Sequence, residues 1–174
     1  MEPLDSVLSL IDMRSFSNLW YWIVLATLWS SLSYFVLGVP LDMIRRGRRD
    51  GGQAQADVEE LVRITCGRVL HLVDENPATL VGLGCFWLSG LAVLAFYYEV
   101  EFAQAVFFLM APIAGVVWTS IRLCRRITAE HATGEVLYRR LIVQRRVIQS
   151  IGMVAIFVTA MFGMWHNVSM SLPI

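Results

Sequence analysis

The sequence predicts an all-α integral membrane protein, a four-transmembrane-helix bundle with an N-terminal interfacial helix and a cytoplasmic amphipathic helix. Three observations predict it. Four runs, Leu19 to Leu41, Ala78 to Tyr98, Phe102 to Ile121 and Val147 to Met170, contain no Asp, Glu, Lys or Arg. Each is close to the roughly 20 residues that cross about 30 Å of hydrocarbon at about 1.5 Å per residue. All 14 basic residues are arginine, and every one except Arg14 falls in segments 42–77 and 122–146. With 57% hydrophobic residues in 174, the chain is too apolar for a soluble domain and too short for two membrane domains.

Taken in order, residues Glu2 to Ser17 place Leu4, Val7, Leu8 and Ile11 at helical spacing, which predicts a short helix lying in the membrane interface. Its acidic start, and the length of the apolar run that follows, predict no cleavable signal peptide. The first span opens on Trp20, Tyr21 and Trp22, ends at Pro40 and is followed by Arg45, Arg46, Arg48 and Arg49, a stop-transfer arrangement. By the positive-inside rule, segments 42–77 and 122–146 face the cytoplasm and both termini lie outside. Within the first segment, Gly51 to Gln53 read as a joint. Val58, Leu61, Val62, Val69, Leu72 and Val73 then form one apolar stripe, an amphipathic helix expected to lie on the inner membrane surface or dock onto a partner, closed by Asn76 and Pro77. The second and third spans are joined only by Glu99 to Glu101, a tight acidic outer turn. A break is expected near Thr133 and Gly134, after which one helix of more than 30 residues runs into the fourth span.

Small residues recur one turn apart: Thr27 and Ser31, Ala78 and Gly82, Cys85 and Ser89, Ala111, Gly115 and Thr119, and Ala155, Thr159 and Gly163. Such stripes let membrane helices approach closely, and closing the chain's own bundle is their first expected use, with homo-oligomer contacts left open. Pro112 predicts a kink in the third span. Trp29 and Trp87 fall near mid-depth of neighbouring spans, where each indole N–H needs an acceptor; with Pro112 they define a candidate groove for an apolar ligand. Cys66, Cys85 and Cys124 are expected as free thiols, because none faces an oxidising side.

An ion path or proton relay needs an intramembrane ionisable residue, and the spans offer only His166. As the sole candidate cofactor ligand it would suit a pigment with one axial bond, not a haem that needs a second histidine, since His71 and His131 lie outside the spans. His71, Asp74 and Glu75 supply too few carboxylates at helical spacing for a metal site, and no phosphate loop or nucleophile elbow is present. No catalytic residue and no metal are expected.

The arginine doublets remain. Arg45, Arg46, Arg48, Arg49, Arg125, Arg126, Arg145 and Arg146 stand at span ends, where each arginine gains on the order of 1 kcal/mol from an anionic leaflet; they are the candidate lipid-binding residues. Tyr138, Arg139 and Arg140, farther from the bilayer, are candidates for a protein partner. The expected role is that of a non-enzymatic accessory or scaffolding subunit of a larger bacterial inner-membrane complex, respiratory or photosynthetic, with bound phospholipid and no nucleic-acid partner. The alternative is a binding or transport protein for a lipid, quinone or pigment.

Overall fold

The computed structural model describes residues 19–171, with the side chains of 166, 167 and 169–171 outside that description. The interfacial helix expected over Glu2 to Ser17 lies outside the described residues. Among those described, six helices follow in order: α1 (Leu19–Tyr34), α2 (Leu41–Asp50), α3 (Gly52–Glu75), α4 (Pro77–Phe96), α5 (Glu101–Ala129) and α6 (Gly134–Ser171), with a two-stranded hairpin, β1 (Phe35–Val36) and β2 (Val39–Pro40), between α1 and α2. The protein is helical, and three of its helices, α4, α5 and α6, are long and apolar enough to cross a membrane.

The first apolar run departs from expectation. It is continuous in hydropathy but not in backbone: helix α1 stops after 16 described residues, about 24 Å. The chain then reverses through Leu37 and Gly38, both at positive φ (53° and 75°), as a two-residue hairpin turn requires. Val36 pairs with Val39 and Phe35 with Pro40, and Pro40, with no N–H and a fixed φ, starts α2. The arginine-rich stretch after it, expected as a stop-transfer signal and a lipid contact with no helix assigned to it, is itself helix α2.

Elsewhere the breaks fall where the turn residues stand. Gly51 and Gly52 take φ of 64° and 52° between α2 and α3, and Gly134 opens the 38-residue α6. Between α4 and α5, Glu99 at φ 53° makes the turn, and Gln104 Nε2 donates back to the Ala95 carbonyl at 2.8 Å.

The described residues form two apolar layers. At the arginine-bearing end, Val36, Val39 and Ile44 meet Val58, Val62 and Cys66 of α3, Leu123, Cys124 and Ile127 of α5, and Leu137, Tyr138 and Leu141 of α6. The apolar stripe of α3 as far as Val69 therefore covers the chain's own core instead of a membrane surface or a partner, while Leu72 at its end is 63% exposed. Gly47 permits the closest approach there: a Cβ on it would lie 2.7 Å from the Tyr138 hydroxyl and 3.0 Å from the Ala54 carbonyl oxygen. The second layer lies along the apolar helices, where Leu25 and Trp29 of α1 pack on Val116, Ile148 and Ala155. Gly152 makes room for the Trp29 ring, whose Cε3 would be 2.7 Å from a Cβ on that residue.

Helix α4 stands apart from both layers. Ala95, at its last turn, is its one buried residue, and Phe96 there meets the edges of Phe107, Phe108 and Phe162. A Cβ on Gly82, Gly84, Gly90 or, in α5, Gly115 would meet nothing. The small residues of α4 thus do not close this chain's own bundle. Those of α6 do, since Ala155 and Thr159 are buried and Thr159 Oγ1 donates to the Ala155 carbonyl at 2.7 Å.

Candidate functional site: arginine-lined cavities beside α6

Helix α6 carries its basic residues on both flanks, and a cavity lies against each. The first, about 280 Å³, sits between α2 and α6 and is lined by Arg45, Arg48, Arg145 and Arg146 with Leu41 and Ile142. Helical spacing produces this convergence: Arg45 and Arg48 are one turn apart on α2, and Ile142, Arg145 and Arg146 share a face of α6. Two of the four arginines are anchored. Arg48 makes a bidentate pair with Glu135, 2.6 and 3.2 Å, and Arg145 Nε donates to the Ser33 carbonyl at 3.1 Å, tying the end of α1 to α6. Arg45 and Arg146 have no hydrogen-bond or ion-pair partner among the described residues. Guanidinium matches phosphate oxygens in a fork geometry, so two anchored and two unpaired guanidiniums beside Leu41, Ile44 and Ile142 have the chemistry that a phosphate-bearing head requires.

The second cavity, about 630 Å³, lies between α5 and α6 and is lined by Arg122, Arg126, Arg139 and Arg140 with Glu130 and Gln144. It is partly neutralised. Arg140 pairs with Glu130 and donates to the Arg126 carbonyl at 3.2 Å. Arg122 lies over the Trp118 ring, 4.9 Å from its centroid. Gln144 is buried and donates to the hydroxyls of Thr119 and Ser120 at 3.0 and 3.3 Å.

The candidate lipid-binding arginines therefore divide. Arg45, Arg48, Arg145 and Arg146 come together, and Arg126 joins the second cavity. Arg49 pairs instead with its neighbour Asp50 at 2.8 Å, and the guanidinium holds that carboxyl below its ordinary range. Arg46 acts on the Asp42 and Asp50 carboxylates, outside both cavities. Arg125 reaches Asp74 of α3 at 3.1 Å. Arg122, absent from the sequence candidates, is a wall of the second cavity; its spacing of four from Arg126 is the signal that would have found it.

The partner candidates also separate. Tyr138 is 2% exposed and its hydroxyl has no hydrogen-bond partner among the described residues, so it is a core residue and not a surface for a partner. Arg140 is held by Glu130, while Arg139 is exposed and unpaired among the described residues.

The candidate apolar groove is not assembled as expected. Trp29 is buried against α6 and its Nε1 has no acceptor among the described residues, whereas Trp87 is 62% exposed on α4. Pro112 does line a groove of about 410 Å³, but with Phe108 and Ala111 of α5 and Ile151, Val154 and Ala155 of α6. His166 falls in the last part of α6, with its side chain outside the description. His71 lies 3.3 Å from Glu75, and Asp74 is engaged by Arg125 of α5, so these groups are taken up by contacts within the chain; no group of three or more metal-ligating side chains is present among the described residues.

Compared with known proteins, the chain matches no family model, no curated protein sequence and no solved structure.

Proposed function

We propose that this chain is a non-enzymatic accessory or scaffolding subunit of a larger bacterial inner-membrane complex, and that it seats an anionic phospholipid headgroup between α2 and α6. The observation that carries this reading is the convergence of Arg45, Arg48, Arg145 and Arg146 on one cavity beside Leu41 and Ile142. In this reading the arginine-bearing end faces the cytoplasm. Helix α1, packed lengthwise on α6 through Trp29, serves as a fourth membrane element beside α4, α5 and α6. Helix α4 packs on α5, yet Ala95 is its one buried residue, and this supports a lateral role: its exposed side chains, Leu80, Val81, Leu83, Phe86 and Trp87 among them, offer a face to lipid or to another subunit. Purification from native membranes in mild detergent tests the reading. It predicts a larger complex that loses integrity when the chain is deleted, and a chain that runs alone with every membrane complex intact on deletion contradicts it.

A second reading, a carrier or binder of an apolar molecule, is favoured by one observation, the groove at Pro112. Its walls are side chains of Phe, Ala, Pro, Ile and Val with a single serine, Ser150, suited to an acyl or isoprenoid chain. Solvent extraction and mass spectrometry of the purified protein, with and without Ala111→Trp to fill the groove, separates the two. Loss of one bound species in the variant supports the carrier reading, and an unchanged extract removes it.

A further inference from the structure

Two cysteines separated by 58 residues in sequence meet at the arginine-bearing end of the fold, with Cys66 Sγ and Cys124 Sγ 2.7 Å apart. Both are free thiols and both are buried, at 1% and 0% exposure. Cys85, the third, is exposed on α4. The two members of the pair are not equivalent. Cys66 lines a cavity of about 360 Å³ bounded by Glu59, Arg63, Ile127, His131 and Leu137, and Cys124 does not. A small polar solute in that cavity therefore meets the sulfur of Cys66 first. The hydrogen bond from Cys124 also favours the thiolate of Cys66, holding its pKa below that of an ordinary thiol.

We propose that Cys66 and Cys124 are a reversible dithiol–disulfide couple, with Cys66 the sulfur attacked by a small peroxide and Cys124 the resolving thiol. The Cys66 sulfur attacks one peroxide oxygen and the O–O bond breaks. The leaving hydroxide takes the thiol proton as water, and Cys66 becomes a sulfenic acid. Cys124 sulfur then attacks Cys66 sulfur, the S–O bond breaks, and hydroxide leaves with the Cys124 proton as a second water. One hydrogen peroxide and two thiols give one disulfide and two waters. A dithiol reductant reverses the step by exchange, being itself oxidised to a disulfide. A pair facing a reducing compartment is held as thiols until an oxidant arrives, which is the setting of redox-sensing cysteines. The bond would join α3 covalently to the end of α5, so that this helix could no longer lift from the core it covers.

The test uses the full chain in detergent or nanodiscs, reduced, exposed to graded hydrogen peroxide, then denatured in N-ethylmaleimide and digested without reduction. The expected result is loss of both free thiols into a Cys66–Cys124 linked peptide, retention of the Cys85 thiol as its maleimide adduct, and recovery of all three thiols after dithiothreitol. In Cys124→Ser the reaction should stop at a sulfenic acid on Cys66, trapped by dimedone. Thiols that stay fully alkylatable in the wild-type chain, or higher oxidation of Cys66 with no linked peptide, would overturn the proposal. The wild-type peptide decides even if the variant fails to fold.

Discussion

Replacing Gly47 with alanine tests how the arginine-bearing core is packed, because three α-helices meet at that residue. The new Cβ would lie 2.7 Å from the Tyr138 hydroxyl, 3.0 Å from the Ala54 carbonyl oxygen and 3.0 Å from the Val58 Cγ2 methyl. A tyrosine ring tip can yield, but the Ala54 carbonyl is backbone of α3, so α2 and α3 must separate. Overpacking of this kind costs about 1–3 kcal/mol. Tyr138→Phe has the opposite expectation: its hydroxyl is buried without a partner, an arrangement that costs about 1–3 kcal/mol to bury, so its removal leaves stability unchanged or raises it. The double variant loses the 2.7 Å contact and keeps the two at 3.0 Å, so it should recover part of the Gly47→Ala loss. Cys124, buried in the same cluster, reports opening of that core. In a Cys85→Ser background, its labelling rate by a bulky maleimide, read on the Cys124 peptide separately from that of Cys66, rises about tenfold for each 1.4 kcal/mol of destabilisation. The reasoning is refuted if Gly47→Ala labels at the parental rate, or if Tyr138→Phe alone labels tenfold faster.

Three further outcomes follow from named contacts. Gly152→Ala sets a methyl 2.7 Å from Trp29 Cε3; it should loosen α1 from α6 and raise proteolysis near the α1–β1 junction, whereas Gly115→Ala, which meets nothing, should not unless α5 has a partner there. Glu135→Gln breaks a solvent-exposed bidentate pair with Arg48 and should change stability by less than about 1 kcal/mol, read by the same Cys124 labelling. The Tyr34 hydroxyl donates to Asp42 at 2.6 Å and holds that carboxyl below its ordinary value. The contact is therefore present at neutral pH and lost only as pH falls through the lowered pKa, and a carboxyl ¹³C titration of Asp42 should shift upward toward an unperturbed aspartate in Tyr34→Phe.

Much of the fold is legible because charge and turn residues act locally. The charge-free runs become α4, α5 and α6, and Gly51, Gly52 and Gly134 mark where helices break. The run from Leu19 to Leu41 shows the limit of hydropathy, which sees composition and not backbone. Gly38 and Pro40 stand inside it, and the chain turns there although every residue is uncharged. Azimuth is equally hidden. Trp29 and Trp87 fall at similar depth, yet one faces α6 and the other faces away, because depth says nothing about the side of a helix. Tyr138 was readable as core, since Leu137, Leu141, Gln144 and Ile148 repeat at three and four residues and place it at the stripe's edge. Its neighbours Arg139 and Arg140 obscured that pattern. The meeting of Cys66 with Cys124 depends on how α3 folds back on α5, a tertiary fact with no local signature.

The proposed anionic headgroup in the cavity between α2 and α6 is tested most directly by native mass spectrometry with defined lipid. Arg45 and Arg146 are the informative pair to neutralise, because neither holds the fold together, while Arg48 and Arg145 are tied to Glu135 and the Ser33 carbonyl. At on the order of 1 kcal/mol each, Arg45→Gln with Arg146→Gln should weaken retention of phosphatidylglycerol by about 30-fold and leave phosphatidylcholine retention unchanged. Equal retention of phosphatidylglycerol by the parent and the double variant would contradict the account.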